Sequence, residues 1–277
     1  MKVAVLSGKG GAGKTLVACG LACAAGRAVY ADCDVEEPNG RLFFKPENTV
    51  IRPVLRRMPA FDAQKCTGCR KCVERCRFNA LVFVKGAPML FGEVCHSCGV
   101  CAYVCPEGAV AEAGLEAGAV ESGVRGGIRV VTGELKLGEA TGVPVIAAAL
   151  EEAGDEGTVI IDCPPGSACP VMEAAREAGY CVLVTEPTAF GLHDLRLVVE
   201  LMRVMGKPCG VVVNKAGAEY APLEEYLARE GLPVLARIPY SENLAAIVSA
   251  GGLAYDEDAQ ARELFTALLG RIREAAR

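Results

Sequence analysis

Aromatic side chains are scarce: they make up 5% of the 277 residues, whereas glycine alone contributes 32. So little aromatic surface argues against an aromatic-lined pocket and for tight backbone turns and closely packed helices. Positive charge is not in excess either. With 34 acids against 29 lysines and arginines the formal charge is -5, so no general basic field exists and nonspecific attraction to nucleic acid is not the expected mode of action. Long apolar runs are missing as well. No window reaches the ~18 apolar residues of a membrane span. Met1–Leu6 is a short strand-like run leading into glycines, not a charged start followed by a long apolar segment. Together these features place the expected location in the cytoplasm, without membrane contact. What the chain does have is 52% hydrophobic content, enough for one large domain or one domain plus a small module.

Cysteine is the second abundance. A reducing cytosol disfavours a disulfide framework, and eight of the 15 cysteines fall within Cys66–Cys105, which points to metal. That block is an internal repeat with an offset of 29 residues: Cys66, Cys69, Cys72 and Cys76 map onto Cys95, Cys98, Cys101 and Cys105. Each half reads C-x2-C-x2-C-x3-C, a spacing in which three thiolates surround one cluster and the fourth reaches the other. The expected sets are therefore crossed. One four-iron cluster takes Cys66, Cys69, Cys72 and Cys105; the second takes Cys95, Cys98, Cys101 and Cys76. Structural zinc, which C-x2-C pairs also bind, calls for two pairs rather than four cysteines in a run repeated twice. His96 lies between two ligands whose set is already complete. The block resembles bacterial two-cluster ferredoxins down to Cys105-Pro106, with one departure, Arg77 in place of the proline after the first half.

Outside the block, strand-like apolar runs alternate with helical stretches. Lys2–Leu6 reads as a buried strand, Thr15 to Ala25 as a helix, and Val29–Ala31, Val159–Ile161, Cys181–Thr185 and Gly210–Val213 as further strands. This alternation predicts an α/β domain with a mostly parallel sheet flanked by helices. The expected organisation is a discontinuous α/β domain over 1–60 and 113–277, with an inserted α+β module over 61–112.

The segment Gly8-Lys9-Gly10-Gly11-Ala12-Gly13-Lys14-Thr15 follows a strand and opens a helix, the context that makes a phosphate loop credible. Its backbone N–H groups would wrap phosphates at the helix N-terminus, with Lys14 neutralising charge and Thr15 ligating Mg2+. A dinucleotide-binding reading leaves Lys14 and Thr15 without a role. Lys9 makes the loop resemble the deviant Walker motif of the MinD, ParA and nitrogenase iron-protein group. With Glu36–Asn39, Val184–Thr188 and Phe190–Asp194, the chain resembles MinD-superfamily P-loop ATPases with an inserted ferredoxin domain.

The resemblance implies an ATPase using ATP and Mg2+ and two [4Fe-4S] clusters, acting as a nucleotide-dependent homodimer or a heterodimer with a related ATPase. Lys9 would reach the partner's nucleotide. Asp34 would position the attacking water, with Asp32 supporting the metal shell. Asp162 would hold the metal through water, Gly166 would sense the γ-phosphate, and Asn214, Pro239 and Tyr240 would meet the adenine. Two functions follow. In the first, ATP-driven dimer changes control electron transfer or metallocluster handling for a client protein. In the second, the chain is a positioning ATPase of the MinD or ParA kind with structural or sensory clusters.

Seven cysteines lie outside the block. Cys19, Cys23, Cys181 and Cys209 read as small core residues, and Cys33, Cys163 and Cys169 lie near the nucleotide switches, Cys169 as a candidate bridging thiolate between subunits. The amphipathic stretch 259–277 reads as a final helix packed on the sheet, with a membrane-surface helix as the alternative.

Overall fold

The computed structural model describes residues 1–217 and 219–276; Arg277, at the end of the amphipathic stretch, lies outside the described residues. The strands are β1 (Lys2–Leu6), β2 (Ala28–Asp32), β3 (Glu47–Phe61), β4 (Leu81–Val84), β5 (Ala87–Leu90), β6 (Val110–Arg125), β7 (Ile128–Leu135), β8 (Val159–Asp162), β9 (Tyr180–Thr185), β10 (Cys209–Ala216) and β11 (Val234–Pro239). Nine of them form one sheet in the order β11-β10-β9-β1-β8-β2-β7-β6-β3. The seven from β11 to β7 are mutually parallel. β1 is covered on both faces, which is why it reads as a continuous apolar run: Val3, Ala4, Val5 and Leu6 are each 0% exposed.

The strands after β1 are laid down on both sides of it, β8 on one and β9 on the other. A crevice therefore opens at the carboxyl end of β1, the place where sheets of this kind take ligands. Helix Lys14–Ala25 covers one face there, and helix Ala259–Ala275 packs over it, with Phe265, Leu268, Leu269 and Ile272 buried. The fit is close: a Cβ at Gly20 would meet the Phe265 ring at 2.5 Å. The apolar stripe of the last helix is thus core. Among the described residues no helix is long and apolar enough to cross a membrane.

The antiparallel edge departs from the parallel pattern. β6 pairs with β7 and then continues along β3, so that β3 and β6 form a long ribbon whose root is part of the sheet. On β3 the buried positions alternate: Val54, Arg56 and Met58 are 9%, 4% and 7% exposed. Val54 belongs to the body's core, whereas Met58 packs with Ala80 and Cys95 in a separate small cluster at the ribbon's far end. Residues 62–109 occupy that end.

The 29-residue offset is visible in the backbone of this unit. Helix Lys71–Glu74 corresponds to Val100–Tyr103. Left-handed φ angles recur at Gly68 and Ser97, at Arg70 and Gly99, and at Asn79 and Gly108. The exchange between halves is reciprocal: Asp62 N–H donates to Ala109 O and Phe91 N–H to Ala80 O, each at 2.8 Å. The two halves are therefore related by a pseudo-twofold operation.

Candidate functional site

Gly13 caps the first helix with φ +98°, and Gly11 is also left-handed at φ +79°, so the loop needs glycine at both. Close approach adds a second requirement at Gly13, where a Cβ would lie 2.1 Å from the Asn214 amide nitrogen. Asn214, 4% exposed, donates from Nδ2 to the Ala12 carbonyl at 2.8 Å. It thereby holds the loop against the end of β10. Tyr240 lies near the same strand end, its N–H donating to Ala216 O at 3.4 Å, with its side chain exposed, as is Pro239. Gly10 and Gly11 are exposed at the loop's crest, while Gly8 abuts Asp194.

Three acids converge on this loop. Asp32 closes β2, Asp162 closes β8, and the pairing of Asp32 with Asp162 sets them side by side in the sheet register. The backbone stitches the three strand ends together: Cys33 N–H donates to Asp162 O, Cys163 N–H to Val5 O, and Gly166 N–H to Ser7 O at 3.0 Å. Gly166, at φ +97°, thus ties the segment after β8 directly to the start of the phosphate loop. Asp32 accepts from the N–H groups of Gly40 and Asp34, at 2.8 and 3.3 Å. Tyr30 donates its hydroxyl to Asp162 Oδ2 at 2.9 Å, while Oδ1 is buried without a hydrogen-bond partner among the described residues.

Lys14 is the cation of the site. It is 5% exposed, and its Nζ lies 3.9 Å from Asp34 Oδ2. Burial pushes the Asp34 carboxyl up to about 6, Lys14 pulls it back, and Asp162, Glu37 and Glu36 push it further up. Burial likewise raises Asp162 against the pull of Lys14, and raises Asp32, reinforced by Asp162. Lys14, two buried acids (Asp32 and Asp162) and the half-buried Asp34 meet here, and the orphaned Asp162 carboxylate oxygen near Thr15 is the donor left open to a divalent cation.

A pH dependence follows with a definite sign. The folded pKa of Asp34 lies above its ordinary 3.8, so the folded chain holds more protons across roughly pH 4–6. Its contribution to stability is lost as pH rises through that window. Mg2+ competes with those protons, so Mg2+ alone is expected to raise the melting temperature more at about pH 7.5 than at about pH 5. Calorimetry at both pH values checks this, and an equal effect at the two would remove the cation site.

Lys9 is half-exposed at the loop's outer side. Its Nζ lies 3.7 Å from Glu186 Oε2, and Lys215 Nζ lies 2.7 Å from Glu186 Oε1 while also donating to Gly11 O at 3.3 Å. Glu186, Lys215 and Tyr30 are site residues that sequence reasoning missed. Glu186 lies within Val184–Thr188 and Lys215 follows Asn214, but nothing local in the sequence pairs either with the loop.

The expected cluster ligands fall into two groups in space. Cys66, Cys69, Cys72 and Cys105 line one hollow. Cys76, Cys95, Cys98 and Cys101 line another, together with His96. The fourth cysteine of each half accepts a backbone N–H at sulfur, Ala80 to Cys76 at 3.4 Å and Ala109 to Cys105 at 3.3 Å. Among the described residues no three His, Cys, Asp or Glu side chains are set closely enough to hold a single metal ion. His96 stacks on Phe78 with ring centroids 4.0 Å apart. Cys169 is exposed at the start of helix Cys169–Ala175, whereas Cys19, Cys23, Cys33, Cys163 and Cys181 are buried and Cys209 is partly so.

A sequence model of the CobQ/CobB/MinD/ParA nucleotide binding domain matches residues 3–253. An uncharacterised protein of Methanocaldococcus jannaschii is 28% identical over 222 residues, covering 78% of this chain and 79% of that one. The fold is similar to two solved structures. One is the cell division ATPase MinD of Pyrococcus furiosus (TM-score 0.61, 18% identity, 99% of this chain and 98% of that one). The other is the septum site-determining protein MinD of Pyrococcus horikoshii with Mg-ADP (TM-score 0.62, 17% identity, 99% and 96%). With nine-tenths of the sequence matched and the phosphate loop seated at the carboxyl end of β1, the chain belongs to the CobQ/CobB/MinD/ParA family of nucleotide-binding proteins.

Proposed function

We propose that this protein is a Mg-ATP-driven dimerising switch of the MinD and ParA kind, carrying two four-iron clusters in the unit 61–112. The carrying observation is the site at the end of β1, where a glycine loop, one buried lysine, two buried acids and the half-buried Asp34 meet. Lys14 leaves Asp34 for the β- and γ-phosphates, and the loop's N–H groups take the remaining phosphate oxygens. Thr15 directly and Asp162 through water would hold Mg2+, which would supply charge neutralisation at the phosphates. Asp34, freed of Lys14, orients the attacking water, and Gly166 reports the γ-phosphate to the following segment. Asn214 holds the loop and presents its remaining amide oxygen near the base, flanked by Pro239 and Tyr240. Lys9 turns from Glu186 to the partner chain's phosphates. This reading favours a positioning or partner-recruiting role, in which the clusters are structural or sensory.

The cluster assignment is supported by the two cysteine cavities, each lined by a crossed set of three cysteines from one half and one from the other. The sulfurs surround a hollow instead of converging on one point, which suits a cluster better than tetrahedral zinc. Electron delivery to a client is the second reading. It is favoured by the exposure of Cys69 and Cys98, one in each set of four.

Anaerobically purified protein is expected to hold about eight iron and eight sulfide per chain. Cys105→Ala is expected to lose the cluster of Cys66, Cys69 and Cys72 and keep the other, about half the iron. Iron and sulfide analysis with electron paramagnetic resonance decides it. Stoichiometric zinc with little sulfide would end the cluster assignment and leave the ATPase reading standing.

A further inference from the structure

The inner face of β3 carries an arginine where an apolar residue is expected. Val54 sits in the core of the nucleotide-binding body and Met58 in the core of the cysteine unit; Arg56 lies between them and is 4% exposed. Its guanidinium reaches in both directions. Nη1 donates to the Cys95 carbonyl at 3.0 Å and to Ser97 Oγ at 3.4 Å, and Nη2 donates to the Gly92 carbonyl at 3.2 Å. Nε faces the Glu139 carboxylate, whose side chain is 9% exposed. One end of the group therefore grips the backbone that presents Cys95, and the other is anchored to the body.

Glu139 lies in the loop between β7 and helix Val143–Ala153. That loop rests on the segment following Asp34. Leu135 N–H donates to Val35 O at 2.8 Å. The buried Val35 side chain fills the space over the two glycines flanking the loop: a Cβ at Gly133 would meet Val35 Cγ1 at 2.7 Å, and one at Gly142 would meet Cγ2 at 2.6 Å. Asp34, the neighbour of Val35, pairs with Lys14. Contacts are thus continuous from the phosphate-loop lysine through Asp34, Val35, the Glu139 loop and Arg56 to Cys95.

We propose that the buried Arg56–Glu139 ion pair is a positioning link through which the phosphate end of the nucleotide site biases the cage of Cys76, Cys95, Cys98 and Cys101, but not the other cage. This rests on the nucleotide and cluster assignments above. A bound phosphate draws Lys14 off Asp34, and the link transmits the displacement only because its charges are buried. Packed cores shift between discrete arrangements and do not deform smoothly. The asymmetry is built in, because among the described residues the hydrogen bonds of Arg56 to the cysteine unit go to its second half, at Gly92, Cys95 and Ser97. Since a contact path is not coupling until coupling is measured, the test has two arms.

The first arm is amide hydrogen exchange over 92–98 with and without a nonhydrolysable ATP analogue and Mg2+. In the parent chain the analogue is expected to change exchange there. In Arg56→Met/Glu139→Gln, which removes both charges and leaves none buried alone, the change is expected to disappear while analogue affinity stays within about twofold. This arm needs no cluster, so it decides the link even if iron analysis disproves the cluster assignment. The second arm is redox titration of the two clusters. A cation beside a cluster favours the reduced, more negative state, so Arg56→Met is expected to lower the potential of the second cluster and Glu139→Gln to raise it, with the first cluster unmoved. If the reduced and oxidised forms differ tenfold in analogue affinity, the parent's potential moves by about 59 mV for a one-electron couple. Exchange that responds equally in parent and double variant overturns the proposal, as does exchange indifferent to nucleotide in a parent chain that binds it, or equal shifts at both clusters.

Discussion

Lys14→Ala is expected to weaken Mg-ATP binding by about a hundredfold or more, the equivalent of roughly 3 kcal/mol for losing a buried charge-assisted contact to phosphate. The effect is large because Lys14 is 5% exposed and is the cation nearest the three acids. Its removal also has a consequence without nucleotide. Asp34 and Asp162 lose the group that pulls their pKa values down, so the variant is expected to be most stable at lower pH than the parent, and to gain more from Mg2+ at neutral pH. Equilibrium dialysis against ATP and calorimetry across pH measure the two effects. An ATP affinity equal to the parent's would contradict the phosphate-loop assignment outright.

The parts that were legible in the sequence are those whose signal is local. Gly8–Thr15 announces its loop because strand, glycines, lysine and helix are consecutive, and the cysteine repeat announces its duplication because an offset of 29 needs no tertiary information. The runs at Lys2–Leu6, Val159–Ile161 and Gly210–Val213 gave the parallel strands, since burial on both faces leaves an unbroken apolar stretch. The ribbon was harder. β3 carries Arg56 at an inward position, so its period-2 pattern is broken at the residue that joins the body to the cysteine unit. The expected division at 60 and 113 therefore falls within a ribbon that runs from the sheet edge to the cages, with register shifts between Glu47 and Val50 and between Val54 and Leu55. Long-range polar pairs were not legible at all. Asn214 reads locally as a strand-end residue near the base, and only the fold brings it to Ala12, 202 positions away. Only the register of β2 and β8 sets the Tyr30 hydroxyl against Asp162, 132 positions away.

Glu186 belongs to the same class, and it decides how Lys9 behaves. Lys9→Ala is expected to leave Mg-ATP affinity within about threefold of the parent while lowering dimer-dependent turnover by about a thousandfold, the scale of a cation supplied in trans to phosphoryl transfer. Binding survives because Lys14, not Lys9, is the buried lysine of the loop, while Lys9 Nζ is engaged 3.7 Å from Glu186. Turnover falls because a partner chain then lacks the cation. The Glu186 carboxylate is shared: Lys215 sits 2.7 Å from its other oxygen. When Lys9 leaves, Glu186 keeps a counter-charge, so the cost of release is that of one partly exposed ion pair, about 1 kcal/mol or less. Glu186→Gln removes that hold and is expected to act in the opposite direction to Lys9→Ala, giving dimers at lower ATP concentration. Light scattering against ATP concentration and turnover against protein concentration separate the outcomes. Turnover per chain that is independent of protein concentration in the parent, or Lys9→Ala that turns over at the parental rate, would remove Lys9 from the trans site and leave its contact with Glu186 as a surface ion pair only.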